Sequence, residues 1–454
     1  MNAPRPASPP AWRRELAALA RLAGPVVLVQ VGLTMMGFVD TLMVGRVSEV
    51  ALAGVALGNV YSFLLHAFGL GTLLALDPLV SQAVGARDEA AVARSIGRGL
   101  VLAAIHCVPT GALLLLAGPV LELTGQPAEA IPIAAAYARV TIFGLPGFFG
   151  FVVLRQSLQA MHRMLPIVTV VIVANVANAV LDAGLIYGLW GMPELGPVGA
   201  AWATAACRLF MAVALLACGW RVFARLPWPR MPEMARPRAL IALLRLGAPI
   251  GAQYVLEIGC FSAVAFFMGW MGTREVAAHQ VALTLASLAF MVPMGISQAA
   301  AVRVGLAVGR ADPAGMRLAG RVALGFGTLI MLVSASVFVV IPRPIATLFT
   351  HDADVLELAA RLIRIAGIFQ VADGIQVVAI GVLRGVGDTR TPMIVSVVGF
   401  TFLATPVGLW LAFGLRLGAV GLWWGLVLGL AVVAAALVVR TRTRLHGEVR
   451  RLES

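Results

Sequence analysis

No lysine occurs anywhere in the 454 residues, so all 34 basic side chains are arginine. Charge of either sign is scarce, at 12% of residues against 60% hydrophobic, where a soluble chain carries about a quarter charged. A chain this long without a wetted surface has lipid as the solvent for much of its length. Strict alternation of apolar and polar residues is also missing. Runs such as Val101–Leu116 and Val420–Val439 are continuous, which excludes an outer-membrane barrel and leaves the α-helix, whose backbone groups pair internally. The HExxH, P-loop and GxSxG patterns are absent, so neither an enzyme nor an ATP-driven pump is indicated. The run Gly385-Val386-Gly387-Asp388 matches the GxGD pattern of intramembrane aspartyl proteases, but no second Asp has the Tyr-Asp context such enzymes use. Only four cysteines are present, Cys107, Cys207, Cys218 and Cys260, all in apolar segments and too far apart for a metal motif. They read as buried structural thiols without a disulfide. The Pro-rich start, Met1 to Pro10, lacks a cleavable signal pattern.

What is present is a series of apolar segments long enough to cross a bilayer of about 30 Å at 1.5 Å per residue. Hydropathy predicts spans over 20–44, 51–82, 97–118, 133–160, 165–187 and 197–220, then 242–269, 276–305, 318–341, 355–384, 391–414 and 418–440. Arginine sits mostly in alternate loops: Arg13, Arg14 and Arg21, then Arg87 to Arg98, Arg155 and Arg163, Arg221 to Arg245, Arg303 to Arg321, Arg384 and Arg390, and the tail from Arg440. The net charge of +13 therefore reports topology, with both termini cytoplasmic, rather than a nucleic-acid partner. A Pro- and Arg-rich linker, 221–240, divides the chain, and sequence pairs flank it in matching order. ALARLAGP (18–25) returns as LLRLGAP (243–249), and EVALAGVAL (49–57) as EVAAHQVAL (275–283). AVGARDEAAVARSIGR (83–98) returns as AVGRADPAGMRLAGR (307–321), and LGPVGAAW (195–202) as LGAVGLWW (417–424). The expected fold is an all-α integral membrane protein of about twelve helices. Two six-helix parallel-repeat bundles surround a central cleft: an amino-terminal lobe over 1–220, the linker, and a carboxy-terminal lobe over 241–454 with a basic tail.

Acidic side chains inside spans carry the functional argument, since each costs roughly 2.5–3.5 kcal/mol at the bilayer centre. Asp40 lies about one turn from the end of the first span. Asn175, Asn178 and Asp182 fall at steps of three and four in the fifth, on one helix face. Asp40 and Asp182 lie at similar depth, and two carboxylates sharing a pocket with amides form a proton site or coordinate a cation; the competing reading is that the Asn pair only bonds neighbouring helices. In the second half Glu257 has Gln253 one turn back, and Asp373 is flanked by Gln370 and Gln376. Such stripes face a cavity or a partner helix. Asp77, near the arginine-rich end of its span, stands equally as a helix cap or as a side chain reaching the interface. His279 follows the opposite loop and reads as solvated, with a proton relay as the weaker alternative. Pro25, Pro146, Pro249, Pro293 and Pro406 interrupt spans as candidate flexing points. Met35, Met36, Phe38, Met43, Tyr254, Phe261, Met291 and Met294 are candidates for an adaptable apolar lining, although for any one of them lipid or helix contact is the commoner role.

The segments GFVDTLMVG, PLVSQAVGA, EVAAHQVA and QVVAIGVLRGVGDTRTP, in this order, resemble those of the multidrug and toxic compound extrusion family in its NorM-like branch. The resemblance covers nearly the whole chain. It implies a cation-coupled antiporter that exports organic cations and drugs from a bacterial inner membrane in exchange for H⁺ or Na⁺, by alternating access. No cofactor beyond the coupling ion is expected, and a monomer among membrane lipids is. Carried over by motif, Asp40, Glu257 and Asp373 match acids implicated in cation or proton binding, with a Na⁺ site at Glu257 and Asp373 as one option. Asn175, Asn178 and Asp182 resemble the polar cluster of the amino-terminal lobe. Asp77 stands where many bacterial members have a small residue. A second reading with the same architecture is a flippase of lipid-linked saccharides, which calls for basic residues inside the membrane; here those charges are mostly acidic, Arg208 being the nearest exception.

Overall fold

The computed structural model describes residues 10–448 and 450–452. Among them the structure is helical throughout, without strands, and twelve helices are long and apolar enough to cross a membrane. They are α1 (Ala11–Val44), α2 (Glu49–Gly85), α3 (Glu89–Leu115), α4 (Ile131–Ala160), α5 (Met164–Tyr187) and α6 (Pro197–Phe223). After the linker come α7 (Pro237–Met271), α8 (Thr273–Gly309), α9 (Pro313–Val340), α10 (Ala353–Gly385), α11 (Arg390–Gly414) and α12 (Ala419–His446). Every predicted span coincides with one helix. Most run further at the arginine-rich ends, because an amphipathic turn there is helical without being apolar.

Two helices depart from the simple reading. α2 is interrupted at Leu74 and Ala75 and restarts at Leu76. Pro78 has no N–H to offer the Leu74 carbonyl, so the helix cannot run through in register. α11 alternates between α-helical turns and π-helical ones at 398–404 and 410–414. Pro406 removes one backbone donor in the α-helical turn between them, and the Phe400 carbonyl accepts both the Thr405 N–H across the wider turn and Thr405 Oγ1 at 2.9 Å.

Packing divides the chain into two compact units. Among the described residues one comprises 28–259, 389–393 and 452; the other comprises 10–27, 260–388, 394–448 and 450–451. α1 and α7 therefore each contribute one end to either unit. In the first unit α4 is the hub, touching α2, α3 and α6. Gly147 lets the α6 backbone approach, since a Cβ there would fall 2.5 Å from the Leu209 nitrogen. In the second unit α10 is the hub for α8, α9 and α12. Gly381 plays the same part, as a Cβ would fall 2.2 Å from the Ser297 carbonyl of α8. Close approach through small residues is how helices associate where lipid removes the hydrophobic drive between them. Burial follows this arrangement: 78% of an apolar 18-residue stretch of α10 is buried against 22% of one in α9.

The internal repeat is written into the turns. Arg87 and Ala311 occupy equivalent places and both take positive φ, 58° and 54°. The next residue caps the following helix in each half: Asp88 Oδ1 accepts the Ala91 N–H at 2.9 Å, and Asp312 Oδ1 the Gly315 N–H at 2.8 Å. Gly196 and Gly418, at φ 57° and 59°, open α6 and α12 alike.

Candidate functional site

In the unit of residues 28–259, α1, α5 and α6 bring together one acidic cluster. Asp40 is 2% exposed and Asp182 and Asn178 are fully buried. Thr204 Oγ1 of α6 donates to Asp40 Oδ2 at 2.7 Å. Asp182 and Asn178 lie within interaction range of the same carboxylate. Asp182 and Asn178 are close enough to share a hydrogen bond with Asp40, but among the described residues, beyond Thr204, no other element brings a donor to Asp40 Oδ1 or to the Asp182 oxygens. Two adjacent unit charges cost roughly 4 kcal/mol at about 4 Å and an effective dielectric of 20. Two buried carboxylates beside one amide and one hydroxyl can share a proton or hold a cation. The spacing of residues 178 and 182 supplies the shared face; Thr204 fixes which Asp40 oxygen stays open. Asn175 points elsewhere, its Nδ2 donating to the Val171 carbonyl of its own helix at 2.8 Å.

The loop end of this cluster is closed by apolar packing. Val44, Val55, Tyr137, Ile186 and Ala200 form a buried cluster, and Tyr187 Oη donates to the Met43 carbonyl at 2.5 Å, tying α5 to α1. Sequence reasoning missed Thr204, and saw Arg208 only as an exception to the acidic pattern. Arg208 comes from α6, one turn beyond Thr204. It lies within charge–charge range of Asp40 and Tyr137, stacks over the Phe148 ring at 5.0 Å and approaches His66 Nε2 at 3.4 Å. His66 is itself buried, with Nδ1 against the Ser62 carbonyl. A carbonyl on one ring nitrogen and a guanidinium on the other fix a neutral ring with its hydrogen on Nδ1.

Glu257 falls in the same unit, half-buried, and accepts from Gln253 Nε2 at 3.1 Å. Asp373 falls in the other unit, buried on α10 between Gln370 and Gln376 as the three-residue steps require. Gln370 Oε1 accepts from Ser334 of α9 at 3.1 Å. His279 is not solvated as its place beside a loop suggested: it is 1% exposed. The indole N–H of Trp423, a donor only, points at His279 Nδ1 at 3.2 Å, so that nitrogen serves as an acceptor and any relay must first break this bond. Phe369 packs edge-on against Trp423 and against Phe261. Of the Met and aromatic candidates on α1, Met36 is buried, whereas Met35 and Phe38 are exposed.

Asp77 neither caps a helix nor reaches the interface. It is completely buried in the first turn of the restarted half of α2, where the positive end of the peptide dipoles favours an acid. Arg155 lies within charge–charge range of it and donates from Nη1 to Gln30 Oε1 at 2.8 Å. Among the described residues no three His, Cys, Asp or Glu side chains converge on a metal position.

Comparison with known proteins places these residues in context. The MatE family model matches residues 25–183 and 249–410. The chain is 39% identical over 432 residues to a probable multidrug resistance protein NorM of Pseudomonas putida, covering 93% of both chains. It is 36% identical over 442 residues to the multidrug resistance protein NorM of Burkholderia vietnamiensis, covering 96% of this chain and 95% of that one. Among solved structures, the eukaryotic MATE transporter AtDTX14 superposes with a TM-score of 0.87 at 22% identity, over 96% of this chain and 99% of that one. The Vibrio cholerae MATE transporter VcmN in its bent form gives 0.84 at 20% identity, over 96% and 98%.

Proposed function

The chain belongs to the MatE family of multidrug efflux transporters, is not an enzyme, and we propose that it exports lipophilic organic cations in exchange for H⁺ or Na⁺ by alternating access. The observation that carries this reading is the buried Asp40–Asp182 pair, whose joint charge a proton or another cation would offset. A proton, a sodium ion or the head of an organic cation each meets that requirement. If they compete for the same carboxylates, entry of one from one side expels the other, which is antiport. Glu257, which accepts from Gln253, and Asp373, flanked on its own helix by Gln370 and Gln376, are further acids within spans, one in each unit. A saccharide-phosphate flippase would need cationic groups at this depth; Arg208 is the one beside the cluster, and it is already engaged by Phe148 and His66. The arginine distribution supports both termini being cytoplasmic, and we take the protein to act as a monomer in the bacterial inner membrane.

Competition is the direct test. Tetraphenylphosphonium binding to the purified protein, followed by tryptophan fluorescence, should weaken as pH falls or as Na⁺ is added, and Asp40→Asn should remove that dependence. Affinity that is indifferent to both ions would overturn the shared-site reading.

A further inference from the structure

The fourth helix of each half ends in the same turn. His162 and Gly387 both take positive φ, 57° and 82°. The next N–H then bonds back five residues, Arg163 to the Leu158 carbonyl at 2.8 Å and Asp388 to the Leu383 carbonyl at 2.9 Å. Positions 163 and 388 are therefore structural equivalents, and they carry opposite charge.

In the carboxy-terminal half the acid has an evident role. Asp388 is buried, and its Oδ2 accepts from Arg440 Nε at 2.8 Å and Arg444 Nε at 3.2 Å, both on the last turns of α12. The repeat counterpart of α12 is α6, and its end and the residues after it carry Arg221 and Arg225. No acid meets them from the equivalent turn. Arg163 stands there instead, and Arg87 joins from the turn between α2 and α3. These four arginines line one pocket of about 740 Å³. None of their guanidinium groups forms an ion pair or a side-chain hydrogen bond among the described residues. The acids at the rim are two, Asp88 and Glu89. Asp88 Oδ1 caps α3, and Glu89 occupies the first turn of that helix.

Arginines on this side of the membrane are ordinary. Their convergence on one concavity, with a cation where the sister repeat has a carboxylate, is not. The rest of the pocket is apolar, formed by Val92, Leu158, Met161, Pro166 and Val222. Beside it α5 and α6 present Leu165 at 77% exposure and Trp220 at 61%. A basic pocket between helix ends, opening onto an apolar helix surface, matches a phosphate with attached acyl chains better than a small soluble anion.

We propose that this pocket binds the headgroup of an anionic phospholipid, whose phosphate takes the place that the Asp388 carboxylate fills in the other half. The acyl chains then lie along the exposed faces of α5 and α6. The site is separate from the acidic cluster.

Native mass spectrometry of the full chain, released from micelles containing equal palmitoyl-oleoyl phosphatidylglycerol and phosphatidylcholine, tests the assignment. The wild type should retain phosphatidylglycerol preferentially. Arg163→Asp, which installs the acid of the sister repeat, should keep the fold and lower that retention on the order of tenfold, given about 1 kcal/mol per basic side chain. Arg221→Gln with Arg225→Gln should also lower it, while Arg310→Gln with Arg317→Gln, removing as much charge from the same face, should leave it unchanged. Equal retention by the wild type and Arg163→Asp, or equal loss in the control pair, would overturn the proposal. Displacement of the lipid by millimolar inorganic phosphate, without preference for phosphatidylglycerol, would also overturn it and assign the pocket to a soluble anion.

Discussion

Asp40 illustrates how one hydroxyl decides what a carboxylate can do. Thr204 occupies Oδ2, so Oδ1 is the atom open to a proton or a cation. In Asp40→Asn an amide oxygen can still accept from Thr204 while the charge is gone. The variant should therefore fold, bind the organic cation more weakly and lose its response to an ion gradient, checked by thermal denaturation alongside binding and transport. Thr204→Val should cost about 1.5–3 kcal/mol of cluster stabilisation and slow coupled transport severalfold; an unchanged rate would remove Thr204 from the site. In the other packing unit, Trp423→Phe keeps the contact with Phe369 but leaves His279 Nδ1 without its donor. A loss of about 1–3 kcal/mol in unfolding free energy is expected, as for any orphaned buried acceptor. The helix period made Asn178 and Asp182 legible as one face. Thr204 and His66 were not legible, because a lone threonine or histidine on an apolar helix acquires meaning only from what the neighbouring helix places opposite it.

At the scale of the helix, hydropathy located all twelve spans and was blind to backbone register within them. The break at Leu74–Ala75 and the π-helical turns of α11 leave the apolar pattern intact, so only the backbone reveals them. The α-helical turn between the latter is packed with little room to spare: a Cβ on Gly425 of α12 would fall 2.3 Å from Gly408 Cα of α11. Gly425→Val should overpack this seam by about 1–3 kcal/mol or more, seen as a lowered melting temperature in micelles; full stability would mean that α11 yields there. Pro25 sits in α1 two residues before the point where that helix passes from one packing unit to the other. Pro25→Ala restores the backbone donor. It should leave folding intact while slowing transport, if the helix flexes at that point; an unaltered rate would assign the proline no part in the cycle.

At the scale of the molecule, duplication explains most of what was readable. Paired segments foretold paired turns, and the structure bears this out at Arg87 and Ala311 and again at Gly196 and Gly418. What duplication hides is divergence within a shared frame, such as an acid at 388 and an arginine at 163. Charge inside the membrane domain is likewise unequal in its partners: Asp40 and Asp182 face one another, whereas Asp373 lies among glutamines. On the proposed reading, that asymmetry makes the amino-terminal cluster the place of ion exchange. The measurement that tests this most directly is efflux of a fluorescent organic cation from proteoliposomes, driven in turn by a proton and a sodium gradient, for the wild type and Asp40→Asn. Export driven by one gradient, and lost in Asp40→Asn, is the expected result. Export that proceeds equally without any gradient, or that Asp40→Asn leaves unchanged, would contradict it.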